Sequence, residues 1–246
     1  MRFVNTLLQA ALGTAILAGA WWASTSMLQA GQARPYMLPG PETVAAKVIE
    51  LIQADAFQQH IWASLAILIY GLLPALFVGV AIGAGAGASS AGRWLFGPLV
   101  LTIGAAPLVA LLPVLTLWLG QSAASKAWLV FLAAMFPAAN AVMVRWPKHH
   151  GLRMETSGFE ERAAARQGSA GRAAAIFAGL RIGVIFGVTA LVVAELVASN
   201  SGLGYFVAMS TSMFTTADAM AALLVIIVPT MVVGVLLQAI EEQLAG

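Results

Sequence analysis

The sequence predicts an all-α polytopic membrane protein with about six transmembrane helices. Three observations carry this expectation. Of the 246 residues, 61% are hydrophobic and only 9% charged, whereas soluble domains carry about 25% charged residues. Mean hydropathy is +0.90. The apolar residues gather into six uncharged runs, each near the roughly 20 residues that one bilayer crossing consumes. Helices satisfy their own backbone hydrogen bonds locally, as a segment inside lipid must.

The runs fall at about 7–27, 64–87, 95–119, 127–144, 177–198 and 219–239. They leave little chain over, so residues 1–246 read as a single domain. The formal charge of +2 reflects few acids as much as many bases and does not point to nucleic acid. With no cysteine in the chain, disulfides, zinc-thiolate sites, iron–sulfur clusters and thiol nucleophiles are excluded. Lys and Arg in short loops set orientation. With the N-terminus cytoplasmic, inside loops hold nine bases (Arg2, Arg93, Arg145, Lys148, Arg153, Arg162, Arg166, Arg172, Arg181), against three outside (Arg34, Lys47, Lys126). Both termini are therefore expected in the cytoplasm. Trp62, Trp94, Trp118, Trp128 and Trp146 fall near segment ends, as interfacial indoles do.

The first run also has features of a signal peptide, with Arg2 ahead of it, but Trp21 and Trp22 occupy the place where small residues are wanted for cleavage. We read a retained helix. After it, Pro39, Gly40, Pro41 and Glu42 open a segment with Val44, Val48, Leu51, Ile52 and Phe57 on one stripe. The spacing predicts an amphipathic helix over about 41–60 on the outer surface, with Pro41 in the first turn and Glu42 at its positive end. A solvated connector fits these residues equally.

The second run carries Gly79, Gly83 and Gly87 at four-residue spacing, a face that admits a close helix partner from this chain or another. Pro98, Pro107 and Pro113 in the third run, Pro137 in the fourth and Pro229 in the sixth predict kinks or breaks, which either line a pathway or merely bend the helix.

From Arg145 to Arg181 the composition turns polar. This loop, about 145–178, is long enough to contain structure. Ser157 followed by Glu160 has capping-box spacing, and Glu160 and Glu161 suit a helix N-terminus. Ala163 and Ala164 propagate that helix and Gly168 is expected to end it. The product is a cytoplasmic stub of about ten residues, roughly 15 Å long, whose marginal stability alone points to a partner. His149, His150 and Glu155 could be read as metal ligands, but adjacent imidazoles point apart and no third is near; they are expected to belong to a basic juxtamembrane run that fixes topology and touches anionic lipid.

Glu195 lies inside the fifth run, where an ionisable group must face protein or water. It is either a pathway residue or a structural hydrogen-bonding group. A polar turn, Ser199 to Tyr205, follows, and then a stretch with Met209 and Met213 that reads as a short outer or re-entrant helix. By polarity and position, Asn140, Glu195 and Met209 are the candidate path residues. No GxxxxGK[ST] pattern is present, so the chain binds no nucleotide by that motif and is expected to catalyse nothing.

Together, Leu38-Pro39-Gly40-Pro41, Ala106-Pro107, Leu111-Leu112-Pro113, Phe136-Pro137 with Asn140, Gly179-Leu180-Arg181, Val193-Ala194-Glu195 and Ser201-Gly202-Leu203-Gly204-Tyr205 resemble the permease subunits of bacterial ATP-binding-cassette importers. The similarity is to the nitrate, sulfonate and taurine branch and runs from Leu38 to the C-terminus. The resemblance implies an inner-membrane subunit that pairs with a second permease chain, receives a small, often anionic solute from a periplasmic binding protein, and couples to a dimer of cytoplasmic ATPases that hold ATP and Mg. It also implies that the 157–168 helix is the ATPase-coupling helix. The family's Glu-Ala-Ala motif, counted back from Gly168, places Ala163 and Ala164 on the alanines but Arg162 on the glutamate, with Glu161 one place early. That departure suggests the degenerate half of a heteromeric permease. The competing class is an ion- or proton-coupled secondary transporter or channel with Glu195 as its relay.

Overall fold

The structure, a computed structural model, describes residues 2–30, 38–147 and 158–245. Its elements are helices and one 3-10 turn: α1 (Arg2–Ala30), α2 (Pro41–Gln53), α3 (Asp55–Gly87), α4 (Ser90–Ala105), the turn Leu108–Leu111, α5 (Leu112–Leu119), α6 (Ala123–Arg145), α7 (Gly158–Ala198), α8 (Leu203–Ser212) and α9 (Thr216–Ala245). Among the described residues α3, α6, α7 and α9 are long and apolar enough to cross a membrane, and the bent pair α4 and α5 makes a fifth span if counted as one. The all-α polytopic expectation holds. Over the expected first run α1 is helical as well.

α6 is the middle of the bundle, packed between α3 and α7. Its Leu129, Val130, Ala134, Ala138, Ala139 and Val142 are fully buried. Two glycine rows make this possible. On α3, a Cβ at Gly71 would stand 2.6 Å from the Ala127 carbonyl and one at Gly79 2.7 Å from that of Met135, while Gly83 faces Ala139 and Gly87 faces Trp146. On α7, Gly179 faces Val142, and Gly183 and Gly187 face Ala138 and Ala134. The partner of the α3 glycine face is thus a helix of this same chain. Small residues at four-residue spacing let backbones approach where lipid provides no hydrophobic drive for association.

The third run breaks at Pro107, while Pro98 sits inside α4 without interrupting it. α4 ends before Pro107, a 3-10 turn intervenes, and α5 restarts with Pro113 in its first turn; the two halves meet at 75°. Pro137 and Pro229 sit inside α6 and α9 without interrupting them.

Two boundaries differ from expectation. The amphipathic helix is α2 and stops at Gln53, not near residue 60. Ala54 is extended (φ −82°, ψ 120°), and Phe57 already belongs to α3. Gly168 does not end a separate stub: the helix beginning at Gly158 runs unbroken through it to Ala198. One glycine costs a helix only about 1 kcal/mol relative to alanine, and downstream packing of α7 against α6 outweighs that. Ser157 lies outside the described residues, as do the side chains of Glu160, Glu161, Ala163 and Ala164, and His149, His150 and Glu155.

Candidate functional site: a clasp and a cleft at opposite ends of α6

Polar side chains inside this apolar bundle converge at the two ends of α6. At the end near its N-terminus, Glu195 is 1% exposed. The Ser64 hydroxyl of α3 donates to its carboxylate, 2.7 and 2.8 Å from the two oxygens, and the Gly204 backbone N–H of α8 donates to Oε2 at 2.8 Å. Ser64 Oγ in turn accepts from the Leu203 N–H at 2.7 Å. Leu203 and Gly204 are the first two residues of α8, whose N–H groups have no partner within the helix. Glu195 and Ser64 supply those partners from two other helices, and the carboxylate sits at the positive end of the α8 dipole.

The turn entering α8 closes over this pair. Gly202 adopts φ +106°, and a Cβ there would collide with the Glu195 carboxylate; one at Gly204 would lie 2.7 Å from Glu195 Cβ. Only glycine tolerates both the backbone and the approach. The Gly202 N–H donates to His60 Nδ1 at 3.1 Å, so the imidazole proton sits on Nε2. The ring packs against Tyr205 and Phe206, with centroids 5.8 and 5.6 Å away. From α6, Lys126, 5% exposed, donates to Ser199 Oγ at 2.6 Å. Ser199 also accepts from the Ser201 N–H at 3.3 Å and donates to the Ser201 carbonyl. Met209 is half-buried in α8, where its carbonyl accepts from the Met213 N–H at 3.1 Å.

At the other end of α6, Arg145 pairs with Glu241 of α9, and Arg181 of α7 reaches the same carboxylate at 3.2 Å. Two guanidiniums therefore share one acid. Beside them a cleft of about 380 Å³ opens between α4, α6 and α7, lined by Asn140, Arg145 and Phe186 among others. Asn140 Oδ1 is buried there without a hydrogen-bond partner. A second, apolar cavity of about 260 Å³ lies between α3, α7 and α9, with Ser64 and Glu195 in its wall.

The three path candidates thus separate. Asn140 belongs to the cleft between α4, α6 and α7, Glu195 is a buried cap of α8, and Met209 rides on α8 itself. Sequence reading missed Ser64, His60 and Lys126. Each is a lone polar residue, and Ser64 meets Glu195 across 131 positions.

An all-α bundle with small-residue helix packing and four or five apolar helices long enough to span a bilayer defines the class: a multi-pass membrane protein. No protein-family model matches the chain. It is 28% identical over 250 residues to the taurine transport system permease protein TauC of Escherichia coli, covering 95% of this chain and 87% of that protein. It is 29% identical over 196 residues to the formylaminopyrimidine transport permease protein ThiX of Halalkalibacterium halodurans, covering 76% and 74%. These relatives bear out the resemblance to ABC-importer permeases of the taurine and sulfonate type.

Proposed function

We propose that the chain is the permease subunit of an ATP-driven importer in the bacterial inner membrane, with both termini cytoplasmic. A second permease chain completes the translocation path, a periplasmic binding protein delivers a small solute bearing an oxyanion group, nitrate-, sulfonate- or taurine-like, and two cytoplasmic ATPases that bind ATP and Mg supply the energy. The similarity to a taurine-system permease along 95% of this chain carries the reading. The chain itself catalyses nothing.

Ionic geometry supports the orientation. Arg145, Arg181 and Glu241 gather at the end from which the basic 148–157 segment departs, and basic segments stay inside. The α7 start that carries Glu160, Glu161, Ala163, Ala164 and Gly168 is the coupling element. Because α7 continues without a break to Ala198, a push at that start passes along the helix to Glu195 and the clasp, as a rigid lever would. The cleft holding Asn140 lies on the path. The secondary-carrier alternative draws no support from Glu195, whose oxygens are occupied by Ser64 and Gly204.

The test is uptake of labelled taurine into proteoliposomes holding the complete complex and the binding protein. Uptake is expected to require ATP and both ATPase subunits. Uptake that persists when the ATPases are omitted overturns the reading.

A further inference from the structure

Three successive backbone amides at the entry to α8 are held by three side chains from two other helices. The Gly202 N–H donates to His60 Nδ1 at 3.1 Å, the Leu203 N–H to Ser64 Oγ at 2.7 Å, and the Gly204 N–H to Glu195 Oε2 at 2.8 Å. His60 and Ser64 stand four residues apart on α3 and so share one face of that helix. The three acceptors differ in one chemical respect. A hydroxyl and a carboxyl keep acceptor lone pairs in either protonation state, whereas an imidazole exchanges its single acceptor for a second donor between about pH 8 and about pH 5.

Protonation of His60 sets an Nδ1–H against the Gly202 N–H, two donors where one bond of 3.1 Å stood. Tyr205 and Phe206 flank the ring and oppose its turning away. Among the described residues no carboxylate pairs with it. Glu195 of α7 is occupied by Ser64 and Gly204, and Glu50 of α2 and Asp218 of α9 are engaged with Lys47. Asp55 is exposed more than a turn earlier in α3. From α6, Lys126 reaches the same turn through Ser199 as a cation already in place. The turn is the part that yields, since Gly202 already uses the backbone freedom of glycine at φ +106°.

We propose that His60 is a proton-operated latch on α8. Neutral, it holds the Gly202 turn closed over Glu195; protonated, it releases that turn and loosens the first turn of α8 from α3. Its contribution is full where imidazole is neutral, above about pH 8, and is lost as pH falls toward about pH 5. The latch does not depend on the importer reading or on the solute carried.

The experiment is amide hydrogen exchange of the full-length chain in lipid nanodiscs, with any subunits that copurify. It is read by mass spectrometry over residues 199–210 and corrected for the intrinsic exchange rate at each pH. Wild-type protection of this peptide is expected to fall about tenfold from about pH 8 to about pH 5, the effect of one lost hydrogen bond, while peptides from the middle of α6 stay constant. His60→Asn, whose side-chain oxygen takes the place of Nδ1 as acceptor and does not titrate, is expected to keep its protection throughout. His60→Ala is expected to be poorly protected throughout. Replacing His149 and His150, the other two histidines, with Asn leaves the wild-type response intact. Wild-type protection that does not change with pH, a midpoint below about pH 5, or an undiminished response in His60→Asn overturns the proposal. Should His60→Asn fail to assemble, the wild-type series and the His149 and His150 variant decide it, since loss of the response in the latter overturns it too.

Discussion

The two ends of α6 treat buried polarity in opposite ways. At the clasp, Glu195, Ser64, Leu203, Gly204, Gly202 and His60 exchange hydrogen bonds among themselves. At the opposite end Arg145 and Arg181 each take one oxygen of Glu241, and the nearby Asn140 Oδ1 has no donor. A saturated network holds one geometry. An unpartnered acceptor costs stability and stays open to a donor. The contrast separates side chains whose loss must weaken the bundle from one whose loss need not.

The sharpest way to break the contrast is Glu195→Ala. Removing the carboxylate strands the Ser64 hydroxyl and the Gly204 N–H together, and loss of one partner from a buried charged network costs about 3–5 kcal/mol. The expected result is a large drop in the detergent melting temperature and in membrane yield; near-wild-type melting contradicts the cap assignment. Gly202→Ala comes next, at roughly 1–3 kcal/mol for the left-handed backbone alone, with more from contact with Glu195, read by the same melting curves. Ser64→Ala removes one donor and the acceptor of the Leu203 N–H, for about 1–3 kcal/mol; combined with Glu195→Ala in a double-mutant cycle it is expected to be strongly non-additive.

How much of this was legible beforehand follows from range. Hydropathy is summed over one window, so the positions of α3, α6, α7 and α9 could be read directly, and the break at Pro107 follows from ring chemistry at one residue. The glycine row on α3 was readable, while the matching row Gly179, Gly183 and Gly187 on α7 went unremarked although its spacing is the same. The stop at Gly168 failed because a local breaker was weighed without the long-range packing of α7. The end of α2 failed because Ala54 carries no turn signal. Glu195 was visible as an anomaly, yet its partner Ser64 lies on a helix that only folding brings near. The unmatched amide of Asn140 is a property of its neighbours and has no trace in the sequence.

Smaller perturbations sharpen the comparison at its margins. Arg162→Glu restores the acid that the importer resemblance expects at that place; it is expected to raise ATPase-coupled uptake, and unchanged coupling counts against a degenerate half-permease. Lys47 of α2 bonds Glu50 at 2.9 Å and reaches Asp218 of α9 at 3.4 Å. Those contacts, the Glu50 hydrogen bond foremost, raise its pKa against a smaller opposing cost of burial. A raised lysine stabilises the fold below its unfolded value and loses that contribution as pH climbs through the folded one. Lys47→Met is therefore expected to cost less than about 1 kcal/mol, with no pH dependence below about pH 9 since unperturbed lysine titrates near 10.4. Melting scans at pH 6 and pH 8 check both points.

The glycine rows on α3 and α7 hold α6 closely from both sides: Gly71, Gly79 and Gly83 meet α6 backbone carbonyls, while Gly179, Gly183 and Gly187 receive the side chains of Val142, Leu76 and Leu72. Three helices interlocked this tightly cannot roll or slip by a fraction of a turn without steric collision, so they travel as one plank. Bending within the molecule then falls to the plank's margins, where the 75° elbow between α4 and α5 lies.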